Sequence, residues 1–317
     1  MTQIDKSRFE WIGSDSARRE GISRPSTTFW KDAIGRLMKN KVAVVCFFII
    51  VLLILSCIIV PFFSPFESRE QHLGEVNKGF MTVCTDPRYE GQHHVHYFGT
   101  DNLGRDLFLR AFEGGRVSLM IAFAAVFVNL IVGLIYGGIS GYIGGAVDTI
   151  MMRIVEIVNG IPYLIVVILL MMVLPKGIFT MVVAYGITGW TGMARLVRGL
   201  VLQLKSQEYI VAAEAMGAKS SRIIAKHLIP NALSVIIINV TLAIPSAIFT
   251  EAFLSYIGLG VPVPQPSWGV LAKGGQDVFM TYPYQLVVPA VAISLTMLSF
   301  NLLGDGLRDA FDPRLRR

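Results

Sequence analysis

The chain has 317 residues, of which 53% are hydrophobic and 16% charged, and its formal net charge is +6. Soluble chains carry about 25% charged residues, and here the apolar residues gather into blocks of about 19 to 26, the length that crosses a hydrocarbon core of about 30 Å. A soluble globular enzyme, a disordered chain and a fibrous protein are thereby excluded. Three cysteines make no disulfide framework: Cys46 and Cys57 lie in the first apolar block and Cys84 is alone in a loop.

A mostly polar segment, 1–41, precedes the first block, about Val42–Val60, which ends at Pro61. No small-residue cleavage site follows, so it reads as an uncleaved span rather than a signal peptide. A loop at 61–116 comes next. Further blocks cover about Val117–Ile139, Ile150–Leu174, Ile178–Val197, Ala232–Ile257 and Gln285–Leu303. These runs are continuous rather than alternating, which predicts helices and not a barrel. The expected fold is all-α and polytopic, with six transmembrane helices. Its core is 117–304, with a polar segment at 198–231 inside it and a tail at 305–317.

The cations set the orientation. Most of the 28 Lys and Arg fall before the first block, in 195–231 and in the tail, from Lys6, Arg8 and Arg18 to Arg314, Arg316 and Arg317. Both termini and 198–231 are therefore expected in the cytoplasm, with the 61–116 loop outside. Topology and anionic lipid account for the positive charge, and nucleic acid is not needed as a partner.

Catalytic signatures are absent. There is no Gly-Lys dipeptide for a P-loop, no His-Glu pair for a zinc-protease helix and no nucleophile elbow. Charges inside the spans are few. Glu156 follows Arg153 by one turn, as an i,i+3 ion pair would require. Glu251, near the outer end of span five, suits a helix-to-helix hydrogen bond or a gate contact better than a proton relay. Gly133, Gly137 and Gly141 repeat every four residues and permit close helix contact, within this chain or with a partner. His93, His94 and His96 form a histidine-rich patch. It could bind a metal, but it reads first as a solvated loop and no metal site is assigned.

The segment from Glu208 to Asn231 carries the functional argument. Its first part reads as a short Ala-rich helix with Ile210, Ala213 and Met216 near one face, and Gly217 ends it as a left-handed cap. Ser220 or Ser221 can cap a second helix carrying Ile223, Ile224 and Leu228, which Pro230 is expected to break before span five. Such a helix pair, standing off the membrane, suits a docking partner.

This segment resembles the EAA motif of permease subunits of ABC importers: Glu-Ala-Ala, three residues, Gly, nine residues, Ile-x-Leu-Pro. Here the aligned residues are Val211-Ala212-Ala213, Gly217 and His227-Leu228-Ile229-Pro230, with Val211, His227 and Ile229 as departures. Three further stretches are similar to the dipeptide, oligopeptide and nickel permeases. They are Gly99-Thr100-Asp101 with Gly104-Arg105-Asp106 before span two, Glu251 to Gly260 including Ser255 and Gly258 at the end of span five, and Gly304 to Arg314 in the tail. The overall pattern is closest to the C-type membrane subunit of oligopeptide permeases.

The resemblance implies a type I ABC importer fold and a non-catalytic subunit that binds no cofactor, with ATP and Mg on partner subunits. It implies a homologous second permease, two ATP-binding subunits, an extracytoplasmic peptide-binding protein and a peptide substrate. It makes the Glu208–Pro230 segment a coupling element, with Glu208, Val211, Ala212, Ala213, Glu214, Gly217, Ala218, Arg222, His227 and Pro230 at the contact. Ala212, Ala213 and Gly217 would let it approach its groove closely. Nickel or another small solute is the alternative cargo, and a metal-binding histidine patch would suit a nickel importer. An ion-coupled secondary transporter is a third reading, which leaves the 208–230 segment without a purpose.

Overall fold

A computed structural model describes residues 29–87 and 94–312. His93, the cations Lys6 to Arg24 and those from Arg314 onward lie outside the described residues. A short helix, α1 (Phe29–Lys39), runs up to Asn40, whose side chain accepts from the Ala43 amide and caps α2 (Lys41–Phe63). A loop follows, with a 3₁₀ turn at Leu73–Glu75 and a two-stranded antiparallel ribbon, β1 (Thr82–Val83) with β2 (Val95–His96). Then come α3 (Leu107–Ile143), α4 (Gly145–Asn159), α5 (Tyr163–Val173), α6 (Ile178–Thr188) and α7 (Trp190–Lys205). The remaining helices are α8 (Glu208–Ala215), α9 (Ser220–Ile223), α10 (Ile229–Tyr256), α11 (Trp268–Asp277) and α12 (Tyr284–Phe311), with a π-helical turn at Ile224–Leu228 between α9 and α10.

Among the described residues, four helical stretches are long and apolar enough to cross a membrane: Lys41–Phe63, Leu107–Ile143, Ser220–Tyr256 and Tyr284–Phe311. The expected span Ile150–Leu174 is not one rod. Its α4 and α5 halves meet at 79°, around Gly160-Ile161-Pro162. Proline lacks an amide donor and pushes its predecessor out of the helical region, and a continuous apolar run conceals that interruption. The expected span Ile178–Val197 is divided at Gly189 between α6 and the more polar α7. Two further helices lie outside the expected blocks: α1, and α11 in the connection before α12.

The span starting at Val117 begins ten residues early, because Asp106 caps α3 by accepting from the Leu109 amide at 2.7 Å. Helix α3 is the axis of the fold. At one end it packs with α2, α10, α12 and Trp268; at its middle and far end it lies along α7. The glycine stripe settles which helix it faces. A Cβ on Gly133 would overlap Met193, one on Gly137 the Ala194 carbonyl and one on Gly141 the Arg198 carbonyl, so the stripe serves α3 against α7 within this chain.

Candidate functional site

The 208–230 segment forms a compact knob on the end of the bundle opposite the 64–106 loop. One side of α8 is seated on the protein. Ile210 is buried with Val197 and Val201 of α7, Ile223, Leu228 and Ala232, and Ala213 is buried one turn on. The other side is open: Glu208, Tyr209, Val211, Ala212, Glu214 and Met216 are exposed, Met216 at 82%. Two expectations change here. Met216 sits on the exposed side rather than the buried one, because it lies at the C-cap where the helix has begun to unwind. Ala213 is turned inward and is not available for close approach to a partner; Ala212 is.

Gly217 ends α8 at φ +78°. The Ala218 amide donates to the Ala213 carbonyl at 3.1 Å and the Gly217 amide to Glu214 at 2.9 Å, the paired pattern of a Schellman turn. A Cβ on Gly217 would meet nothing within 4 Å, so glycine is required by the backbone and not by crowding. Neither Ser220 nor Ser221 caps the second helix; Lys219 occupies that position without a side-chain cap, and α9 with its π turn runs on into α10. Pro230 does not break it. Its ring would collide with the carbonyl four residues back in a regular α-helix, and the wider π turn at Ile224–Leu228 passes that point. The consequence is a single helical stretch, Ser220–Tyr256, from the knob into the bundle.

The knob is also pinned sideways. Asn231 Nδ2 donates to the Tyr209 hydroxyl at 3.2 Å and to the His227 carbonyl at 2.7 Å. The Tyr142 hydroxyl meets Glu214 and Ser220, and Lys205 donates to the Tyr142 carbonyl at 2.6 Å. Arg222 and Lys226 are exposed beside it. Behind the knob, Arg198 makes a two-pronged ion pair with Asp148, Nε–Oδ1 2.5 Å and Nη2–Oδ2 2.6 Å, and Ser140 donates to the same carboxylate. This pair locks α3, α4 and α7 together. No local pattern in the sequence signals it, since Asp148 and Arg198 are fifty residues apart.

The 61–116 motif residues build the loop from within. Gly99 at φ +76° and Gly104 at φ +72° each abut backbone, at Lys78 and His72 respectively. Thr100 accepts from the Lys78 amide at 2.8 Å and donates to the Glu75 carbonyl. Asp101 accepts from the Leu103 and Arg105 amides and pairs with Arg105 Nε at 2.7 Å, with the buried Arg110 Nε at 3.6 Å. Asp106 caps α3 and also meets His96. Tyr284 and Gln285 of α12 bind the Lys78, Thr100 and Asn77 side of this loop and seat it on the bundle.

His96 is not part of a solvated patch. It is fully buried between Asp106 Oδ1 at 2.7 Å and Glu75 Oε2 at 2.9 Å. Burial favours the neutral ring, but the hydrogen bonds to Asp106 and Glu75 outweigh it and hold the imidazole above its usual range. Burial likewise works against the Glu75 carboxylate, yet donors from Thr85, His96 and Cys84 keep it below the usual carboxylate range.

Glu251 is buried as a helix-to-helix bridge. It accepts from Ser118 of α3 at 2.6 Å and from Ser255, one turn on, at 2.8 Å. Ser118 in turn accepts from the Trp268 amide, and Trp268 Nε1 donates to the Ala111 carbonyl. Gly258 at φ +83° turns the chain beyond α10. Glu156 makes the i,i+3 pair with Arg153 at 2.5 Å, both exposed.

Several apolar helices, a loop pinned to the bundle at one end and an exposed knob at the other define an integral membrane component. Residues 129–317 match the model of the binding-protein-dependent transport system inner membrane component, and residues 28–79 match that of the N-terminal TM domain of oligopeptide transport permease C. The chain belongs to the family of inner membrane components of binding-protein-dependent transport systems. It is 49% identical to the oligopeptide transport system permease protein OppC of Bacillus subtilis strain 168, over 100% of both chains. It is 47% identical to the dipeptide transport system permease protein DppC of the same organism, over 94% of this chain and 90% of that one. A structure described as an inward facing conformation of the MetNI methionine ABC transporter aligns with TM-score 0.51 and 20% identity, over 63% of this chain and 94% of that one. That likeness concerns the fold alone.

Proposed function

We propose that the chain is the membrane-spanning permease subunit of an ATP-driven importer of oligopeptides, forming half of the translocation pathway beside a homologous second permease. It spans the membrane six times, with α4–α5 as a bent span and α6–α7 as a divided one, and both termini are cytoplasmic. Two ATP-binding subunits hold ATP and Mg and do the hydrolysis. An extracytoplasmic peptide-binding protein delivers the substrate at the loop end.

One observation carries the reading: the knob is rigid behind, exposed in front and continuous with a membrane-crossing helix. A push on α8 is passed on through its buried contacts with α7 and through the hydrogen-bonded turn at Gly217. Ile210 is packed into the bundle, Ala213 is buried beside it, and the stretch Ser220–Tyr256 passes through the π turn without a break. Closure of the ATP-binding subunits on ATP would thus move α10 and, through the Glu251–Ser118 bridge, α3. A ligand biases such a two-state change only through differential contacts, and the α8 face supplies them.

The test is to express the chain with its second permease and both ATP-binding subunits and to measure ATP hydrolysis with and without peptide-loaded binding protein. Replacing the exposed Met216 with Glu should abolish stimulated hydrolysis while the chain stays folded, and Gly217→Trp should abolish it by undoing the left-handed cap that shapes the knob. Solute movement by this chain alone, or an assembly indifferent to both changes, would overturn the proposal.

A further inference from the structure

The 64–106 loop contains a set of side chains that transport and coupling do not use. We propose that Glu75, Cys84 and His96 form a binding site for one Zn²⁺ ion, with Asp106 orienting the histidine. The donor atoms of the three residues all lie within 4.8 Å of one another. They come from three separate pieces of chain: the end of the 3₁₀ turn, the residue after β1 and the last residue of β2. Glu75 and His96 are buried and Cys84 is half-buried, with no disulfide partner.

The geometry is that of an oriented ligand set. Asp106 Oδ1 holds His96 Nδ1 at 2.7 Å and thereby aims Nε2 at Glu75 Oε2, 2.9 Å away. A carboxylate on one ring nitrogen with the ligand position on the other is how metal-binding imidazoles are fixed. Glu75 uses Oε1 to accept from Thr85, which leaves Oε2 facing the ring. The Phe66 ring stacks on His96 at 4.5 Å and shields that side from water. A nitrogen, sulfur and oxygen set of this kind suits zinc, and three protein ligands leave a fourth position for water.

Adjacent ligands of tetrahedral zinc stand about 3.3–3.7 Å apart, given metal–ligand distances of about 2.0–2.3 Å. Nε2 and Oε2 therefore separate by about half an ångström when the ion replaces the proton between them, a motion small side-chain rotations supply. Binding releases that proton and the Cys84 thiol proton to solvent. The ion would clip the 3₁₀ turn to both strands and hold the loop's shape where Tyr284 and Gln285 seat it.

The experiment uses the full chain with its partner subunits, purified without a histidine tag, loaded with Zn²⁺ and freed of excess by gel filtration. Zinc is counted by mass spectrometry, and Co²⁺ loading reports thiolate ligation through its near-ultraviolet charge-transfer band. Wild type should hold one more zinc per chain than Cys84→Ser. The cobalt band should vanish in Cys84→Ser and persist in Cys57→Ser. Asp106→Asn, which keeps the helix cap, should weaken zinc binding by about 10–100-fold. Alkylation of Cys84 in the unmutated chain should slow when Zn²⁺ is present, a readout that needs no variant to fold. Equal zinc in wild type and Cys84→Ser, a cobalt band that survives Cys84→Ser, or alkylation indifferent to Zn²⁺ would each overturn the site.

Discussion

Replacing Gly137 with alanine tests the packing that holds α3 on α7. The added Cβ would sit on the Ala194 carbonyl, with the Ala194 carbonyl carbon and the Arg198 amide both at 3.0 Å. All three are backbone atoms of α7, so no rotamer change relieves the overlap and the helices must separate. Overpacking a tight interior costs about 1–3 kcal/mol, and a backbone obstacle argues for the upper end. Alanine regains about 1 kcal/mol of helix propensity. The net expectation is a loss of about 2 kcal/mol. The matched control is Gly192→Ala on α7, where a Cβ meets nothing within 4 Å, and it should be neutral or slightly stabilising. Reversible unfolding of the purified chain in mixed micelles, followed by tryptophan fluorescence, gives both values. Should Gly137→Ala prove as stable as Gly192→Ala, the α3–α7 contact is not where the structure puts it, and the glycine stripe belongs to a partner after all.

Asp148→Ala should cost about 2 kcal/mol, since it removes a two-pronged charge-assisted pair and leaves the half-buried Arg198 guanidinium without its anion; the same unfolding assay reads it, and Arg198→Ala in the Asp148→Ala background should add little. Asp101→Ala removes the acceptor for two amides and Arg105 in the loop and the ion-pair partner of Arg110 in α3, and limited proteolysis should then cut within 64–106 at least about tenfold faster, a change of about 1.4 kcal/mol in local opening. On α8, Ala213→Glu should destabilise the chain by burying a charge, whereas Val211→Glu should leave its unfolding within about 0.5 kcal/mol of wild type yet weaken capture of the ATP-binding subunits in pull-down.

What the sequence makes legible follows from how local the cause is. The Gly217 cap and the Arg153–Glu156 pair each depend on residues within one helical turn, and both are present as expected. The apolar blocks are visible because lipid demands length and continuity, but the demand is on composition and not on straightness. Gly160-Ile161-Pro162 therefore bends a span without changing its hydropathy. Pro230 misleads for the opposite reason: the rule that proline ends a helix assumes regular i to i−4 geometry, and five residues of π turn remove the clash it rests on. The Asp148–Arg198 pair and the burial of His96 depend on contacts across fifty and twenty-one residues, which no local pattern encodes.

The arrangement of these long-range contacts bears on how force would cross the protein. The knob is braced by Tyr142 at the end of α3, by Lys205 at the end of α7 and by Asn231 at the start of α10. At the opposite end, Glu251 and Ser118 join α10 to α3 and hand on to Trp268, while Gln285 and Tyr284 tie α12 to the loop. Both ends of the α3–α10 pair are thus fixed by hydrogen bonds, with glycine-mediated contact to α7 between them. Such a frame moves as a body. The bent α4–α5 unit is joined to this frame by the Asp148–Arg198 pair with Ser140, by the Tyr136–Met151 and Thr191–Asn159 hydrogen bonds, and by burial of Val155 with Trp190 and of Val167 with Val117, Ile121 and Leu254. The Asp148–Arg198 pair is the charged link among these contacts, and if the rigid-body change the transport reading requires moves α4–α5 against α7, loosening that pair should uncouple stimulated ATP hydrolysis from peptide uptake while hydrolysis itself continues. Loss of both together in Asp148→Asn would instead place α4–α5 inside the frame.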